Sequence, residues 1–222
     1  MIKITELEKK LSPDFTLKIG ELNIDDGERV AVIGPNGSGK STLLRLIAGI
    51  IKPDSGSIEI TAKKSRIGYE PQNAYAFRGT VEKNIRLGMH GNADIGAIMR
   101  ACQLETLKNK RSAELSGGER QRMCFARMMA GNYSLLLLDE PMSAADIETS
   151  EMLGKYLNDE CANKGTTLLI ATHLPSQAVS VATKVLIMNG GRVSEYSDIS
   201  ELKNPESEFG RKFIGQWSIN NA

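Results

Sequence analysis

No two of the three cysteines, Cys102, Cys124 and Cys161, stand in a C-x-x-C pair. Thiols so scattered supply neither a disulfide framework nor a metal site, and they read as reduced thiols of a cytosolic protein. No apolar run approaches the roughly 18 residues needed to cross a bilayer. The opening Met1-Ile2-Lys3-Ile4-Thr5-Glu6 lacks the apolar core of a secretion signal. An excess of one charge is missing as well: 28 basic residues against 27 acidic ones leave a net charge of +1. That excludes a basic field able to hold nucleic acid or a membrane surface non-specifically. Internal repeats and low-complexity tracts are absent too. What remains is an ordinary globular composition, 41% apolar and 25% charged over 222 residues, enough for one large α/β domain or two small ones.

Within it, Gly34-Pro35-Asn36-Gly37-Ser38-Gly39-Lys40-Ser41-Thr42 meets every fixed position of the phosphate-binding loop G-x-x-x-x-G-K-[ST]. The apolar run 28–33 before it reads as a buried strand. Leu43, Ile47 and Ile50 after it, with Leu44, Leu46 and Ile51, repeat at helical spacing. Glycines let such a loop turn successive N–H groups onto an anion, and the helix adds roughly half a unit of positive charge. Lys40 supplies a full charge for the outer phosphates, and Ser41 a hydroxyl for Mg²⁺.

Around this loop, Ile2 and Ile4, then Phe15, Leu17 and Ile19, alternate with polar residues as half-solvated strands do. Asp25-Asp26-Gly27 and Pro53-Asp54-Ser55-Gly56 are turns, and β-type segments are expected over 57–60 and 66–69. Strand signals vanish over 80–132, where helices are expected over 92–102 and 119–130. They return as continuous apolar runs at 135–138, 167–171 and 184–188, the pattern of a parallel sheet covered on both faces. Met152, Leu153, Tyr156 and Leu157 mark an intervening helix ending near Gly165. Asn189-Gly190-Gly191 makes a hairpin into 192–196, and an amphipathic tail follows Pro205. The expected fold is α/β: a mostly parallel core sheet with an N-terminal antiparallel β subdomain, spanning 1–79 and 133–222, and an inserted helical subdomain over 80–132.

Two further stretches carry chemistry. The strand 135–138 delivers Asp139 beside the loop, where a carboxylate can hold Mg²⁺ through its water shell, and Glu140 can act as a general base on an attacking water. In Leu115-Ser116-Gly117-Gly118-Glu119, Ser116 and Glu119 form a helix capping box. The two glycines after the cap cost helix stability, about 0.8–1 kcal/mol each, but bare the N–H groups of a positive helix end. Two phosphate cradles so far apart in sequence suggest one site shared between two subunits.

Residues 115–119 with Arg120-Gln121-Arg122 closely resemble the signature motif of the ATP-binding cassette (ABC) ATPases, which other P-loop ATPases lack. The order P-loop, Gln72, signature, Asp139-Glu140 and His173 is that family's order, and the resemblance spans nearly the whole chain. It implies ATP and Mg²⁺ as ligands. It makes Gln72 the Q-loop glutamine that touches Mg²⁺ and water, 143–146 the loop crossing a dimer interface, and His173 the γ-phosphate switch. Ala145 stands where leucine is commoner in the family, and Glu119 where glutamine is. Counting back to the adenine-stacking aromatic reaches Leu11, with Phe15 the nearest ring. His90 is left as surface.

The resemblance further implies a second copy of the chain, transmembrane permease subunits, and a substrate-binding protein as partners, at the cytoplasmic side of a membrane. A free-standing cassette resembles bacterial importer subunits. An exporter motor, or a soluble single-cassette ATPase such as one serving iron–sulfur assembly, are the alternatives. Residues 76–85 resemble a segment of exporters and some importers, and the tail resembles importers of oxyanions or amino acids.

Overall fold

The computed structural model describes residues 1–62, 66–73, 75–173 and 175–219. Nine strands and seven α-helices follow in chain order among these residues. A three-stranded antiparallel sheet is built from β1 (Ile2–Ser12), β2 (Phe15–Ile24) and β4 (Ser55–Ile60), in the order β2-β1-β4. A six-stranded sheet takes β3 (Arg29–Ile33), β5 (Ile67–Glu70), β6 (Leu135–Asp139), β7 (Thr167–Ala171), β8 (Lys184–Asn189) and β9 (Arg192–Asp198), in the order β5-β6-β7-β3-β8-β9. Its first five members in that order run parallel. Only β9, joined to β8 by Gly190-Gly191 with both glycines at positive φ, runs antiparallel.

The continuous apolar runs owe their composition to a sheet buried on both sides. In β6, Leu136 and Leu138 face one core while Leu135 and Leu137 face the other, and β3 divides in the same way into Ala31/Ile33 and Val30/Val32. The first face is covered by α4 (Gly117–Met129), α5 (Ile147–Lys164) and α6 (Pro175–Val181), with Phe125, Leu153, Leu157 and Val181 among the buried residues. The second is covered by α1 (Lys40–Ile47) and the inner face of the antiparallel sheet, through Leu43, Leu44, Ile4, Leu17 and Ile24.

Between β5 and β6 the described residues form no strand. They form α2 (Val81–Arg86), α3 (Ile95–Ala101), 3₁₀ turns at Glu105–Leu107 and Ser112–Glu114, and α4. A 3₁₀ turn Ile199–Lys203 and α7 (Glu208–Ile219) end the described chain; residues 220–222 of the expected tail lie outside it. Glu195 fastens this end, accepting from the Ser207 backbone N–H at 2.9 Å and the Ser207 hydroxyl at 2.7 Å.

Several expected bounds shift. Helix α1 stops at Ile47, so Ile50 is 53% exposed rather than part of its buried stripe. The helix expected from residue 92 starts at Ile95, because Asp94 accepts the Ala97 N–H at 3.0 Å and fixes the cap there. The segment expected over 57–60 is β4, which starts two residues earlier at Ser55 and pairs with β1 in the antiparallel sheet. In the parallel sheet the strands enter from one edge, and the C-terminal ends of β5, β6, β7 and β3 lie side by side at the other. Asp139 is level with Ala171, and Ala171 with Val32. A chain leaving any of these strands emerges at one place.

Candidate functional site

From β3 the chain passes directly into the loop 34–39. Gly34, Gly37 and Gly39 all adopt positive φ, at 149°, 77° and 106°. At Gly34 an added Cβ would lie 2.2 Å from the Met188 carbonyl oxygen of β8, so the loop's seat on the sheet admits no side chain there. The Ser38 N–H donates to Pro35 O at 3.1 Å, and Ser38 O accepts from the Gly191 N–H at 3.0 Å, tying the loop to the β8–β9 turn. Lys40, the first residue of α1, is buried, and its Nζ donates to the carbonyls of Gly34 at 2.8 Å and Pro35 at 3.1 Å. Burial lowers its pKa, opposed by the negative charges of Glu140 and Asp139.

The loop forms one wall of a cleft of about 560 Å³ lined also by Leu11, Phe15, Ser41, Thr42, Gln72 and Glu140. Both candidates for contact with a base therefore border it: Phe15 partly buried, its ring 3.5 Å from where a Gly39 Cβ would stand, and Leu11 46% exposed. Asp139 ends β6 just behind the loop. Burial raises its pKa, while hydrogen bonding from Ser41 lowers it. Its Oδ1 is buried without a hydrogen-bond partner among the described residues, as is Ser38 Oγ. A buried carboxylate oxygen left unpaired beside a hydroxyl is a donor set suited to a hard cation such as Mg²⁺.

Glu140 continues from Asp139 with φ of 52°, left-handed for a residue carrying a Cβ, at a cost on the order of 1–3 kcal/mol. The turn swings its side chain out of the strand's alternation and towards the cleft. There Oε2 lies 2.6 Å from Nδ1 of His173, which follows β7 by two residues. The carboxylate is nearly enclosed, its side chain 9% exposed, whereas the imidazole is about half exposed at 48%. Lys40, Ser41, Gln72, Asp139, Glu140 and His173 thus converge on the C-terminal edge of the parallel sheet, where ligands of such folds bind.

Residues 116–119 lie elsewhere. Ser116 caps α4, its hydroxyl accepting the Glu119 N–H at 3.2 Å while Glu119 Oε2 accepts the Ser116 N–H at 2.8 Å. The Glu119 carboxylate also takes Lys110 Nζ at 3.1 Å, and these contacts lower its pKa, the Ser116 backbone bond foremost. Gly117 faces open space and Gly118 lies against Ala144. None of residues 116–119 lines the P-loop cleft; Gly117 instead lines a second one, of about 610 Å³, with Gln72, Tyr75, Arg120, Gln121 and Ser143. Gln72 borders both.

Two residues with no role in the sequence reading stand out. Gln121 spans from α4 to the loop after Glu140, with Nε2 3.0 Å from Glu140 O and Oε1 2.7 Å from the Ala144 N–H. The i, i+3 spacing from Gly118, which puts both on one face of α4, is the signal that could have found it. Glu70, at the end of β5, is buried with neither carboxyl oxygen hydrogen-bonded among the described residues. Its place beside Gln72 was the available hint.

Residues 17–143 match the family described as "ABC transporter". The chain is 34% identical over 236 residues to the sulfate/thiosulfate import ATP-binding protein CysA of Synechococcus elongatus, covering 98% of this chain and 69% of that protein. It is 32% identical over 237 residues to the spermidine/putrescine import ATP-binding protein PotA of Bacillus cereus, covering 99% and 72%. Among solved structures it is similar to a metal-chelate type ABC transporter in an inward-facing conformation, with a TM-score of 0.75 and 28% identity over 90% of this chain and 84% of that one. An ATP-bound bacterial Atm1-family ABC exporter shares the fold at a TM-score of 0.84 and 22% identity, covering 100% of this chain and 42% of that one.

Proposed function

This chain belongs to the ABC transporter family, and from that premise we propose that it binds and hydrolyses ATP as the motor subunit of an importer. The observation that carries the proposed mode of action is a separation: the P-loop cleft and the capped start of α4 are distinct surfaces of one chain. Two copies facing head to tail would bring the Gly117 end of one α4 to the P-loop of the other, closing ATP between the two cradles. The helix end would contribute roughly half a unit of positive charge and bare N–H groups to the phosphates.

Each residue then has a task. The loop 34–39 holds the phosphates through its N–H groups. Lys40 exchanges the carbonyls of Gly34 and Pro35 for phosphate oxygens, so that the acceptor carries charge as well as the donor. Ser41 and Asp139, with the Gln72 amide oxygen, would hold Mg²⁺, which when bound offsets phosphate charge. Glu140 accepts the proton of the attacking water, and His173 at 2.6 Å orients that carboxylate and senses the γ-phosphate. Phe15 or Leu11 packs on the base.

Among the described residues no helix is long and apolar enough to cross a membrane. In the proposed reading the closing pair acts on transmembrane permease subunits from the cytoplasmic side, with a substrate-binding protein delivering cargo, as the import names of its relatives suggest. Relatives named for sulfate/thiosulfate and for spermidine/putrescine import are 34% and 32% identical. Cargo of opposite charge at nearly equal similarity supports a reading in which selectivity lies with the partners rather than with this subunit. The test is Glu140→Gln: the variant should bind ATP, barely hydrolyse it, and accumulate as an ATP-bound dimer in light scattering. Turnover at the normal rate would remove Glu140 from the base role.

A further inference from the structure

The contacts of Gln121 cross from α4 to the segment that carries Glu140. Besides Glu140 O, its Nε2 reaches Ser143 Oγ at 3.1 Å, and its Oε1 accepts from Ala144 N–H. These partners fix which end of the amide is which, because only the oxygen can accept a backbone N–H and only the nitrogen can donate to a carbonyl. Gly118, one turn earlier on the same face, lets the loop come close: a Cβ there would stand 3.1 Å from Ala144 O. The amide thus joins two segments remote in sequence, spending both its ends on the far side.

Its first partner is the carbonyl of a residue held at φ 52°. A left-handed residue with a side chain persists only where its surroundings over-determine it. For Glu140 the surroundings are few. Its N–H donates to Ala171 O of β7 at 2.9 Å, and its carbonyl accepts from the Ser143 N–H at 3.3 Å and from Gln121. The Ser143 bond is long and lies within the same turn, so Gln121 ties the Glu140 carbonyl to another element as Ala171 of β7 ties its N–H.

We propose that Gln121 is a positioning residue: it holds the Glu140 peptide in its left-handed turn and couples the orientation of α4 to the aim of the Glu140 carboxylate. This rests on the reading of Glu140 as the base. A displacement of α4, whether on nucleotide closure or by a permease, moves the amide and loosens or restores the base without touching the P-loop. A misplacement of about 1 Å at a reacting group costs on the order of 100-fold in rate.

The test uses the full chain with two substitutions. Gln121→Met removes every polar contact at similar volume. Gln121→Glu keeps an oxygen for Ala144 N–H but cannot donate to Glu140 O. Both should lower kcat about 10- to 100-fold with KM for ATP changed less than about twofold. Placed in Glu140→Gln, Gln121→Met should leave the residual turnover and the ATP-driven dimer unchanged, since the group it positions is already gone. Normal kcat in Gln121→Glu, with Glu140→Gln inactive, would overturn the inference alone. A rise in KM matching the fall in kcat, or loss of the Glu140→Gln dimer, would also overturn it, by placing Gln121 in nucleotide or partner binding. Normal turnover in Glu140→Gln itself would overturn the base reading and this inference with it.

Discussion

Glu70 makes the stability of this protein depend on a single buried proton. Its carboxyl is 2% exposed and has no hydrogen-bond partner among the described residues. The charged and titratable groups acting on it are Arg127 and Cys124 of α4, Cys102 after α3, and Tyr133 before β6. Burial pushes its pKa up to about 8 from the ordinary 4.5, and only Arg127 opposes the shift. The folded chain therefore keeps a proton that the unfolded chain releases. The stability this confers is complete below the unfolded value and is lost as pH rises through about 8. One such proton is worth about 1.4 kcal/mol per pH unit between the two values, which integrates to about 2 kcal/mol between about pH 6 and about pH 8.

Glu70→Gln keeps the shape and abolishes the titration. In thermal melts at those two pH values, the parent should lose about 4–8 °C more than the variant on going to the higher pH. Melting temperatures of the two proteins that fall in parallel would refute the reasoning, by showing that the Glu70 carboxyl is solvated or paired.

Two other expectations follow from the local geometry. Gly34→Ala drives a methyl group to 2.2 Å from Met188 O, so the loop must leave its seat; nucleotide titration should show ATP affinity reduced by more than about tenfold, with a lowered melting temperature. Ser116→Ala removes the hydroxyl that accepts the Glu119 N–H, and should destabilise by about 1 kcal/mol, read in a urea titration, with the P-loop's own grip on ATP unchanged.

Features fixed by local pattern were legible in the sequence. The loop 34–42 is spelled by glycines that its conformation requires, and the leucines of β6 are apolar without alternation because both faces of that strand are covered. Features fixed by long-range pairing were not. Nothing in Ser55–Ile60 distinguishes a strand that pairs with β1 from one that joins the parallel sheet. The burial of Glu70 was not legible, since the residue falls just past the expected strand 66–69 and the cation nearest it in effect, Arg127, lies far along the chain in α4. Gln121 has the composition of any polar helix residue, and only the approach of the loop 140–144 gives it partners. His173 was legible as a residue after a strand, but its contact with Glu140 depends on β6 and β7 being neighbours.

The central claim is that each chain carries two halves of different sites, and complementation tests it most directly. Lys40→Ala disables the P-loop half. Gly117→Asp disables the α4 half: a Cβ there meets nothing within 4 Å and an acid suits the first turn of a helix, so the fold should tolerate it, while its charge repels phosphate. Each variant alone should hydrolyse ATP poorly, and mixing them should restore turnover, because a mixed pair unites the intact loop of one with the intact helix end of the other. A mixture no more active than its components, or full turnover by Gly117→Asp alone, would contradict the account.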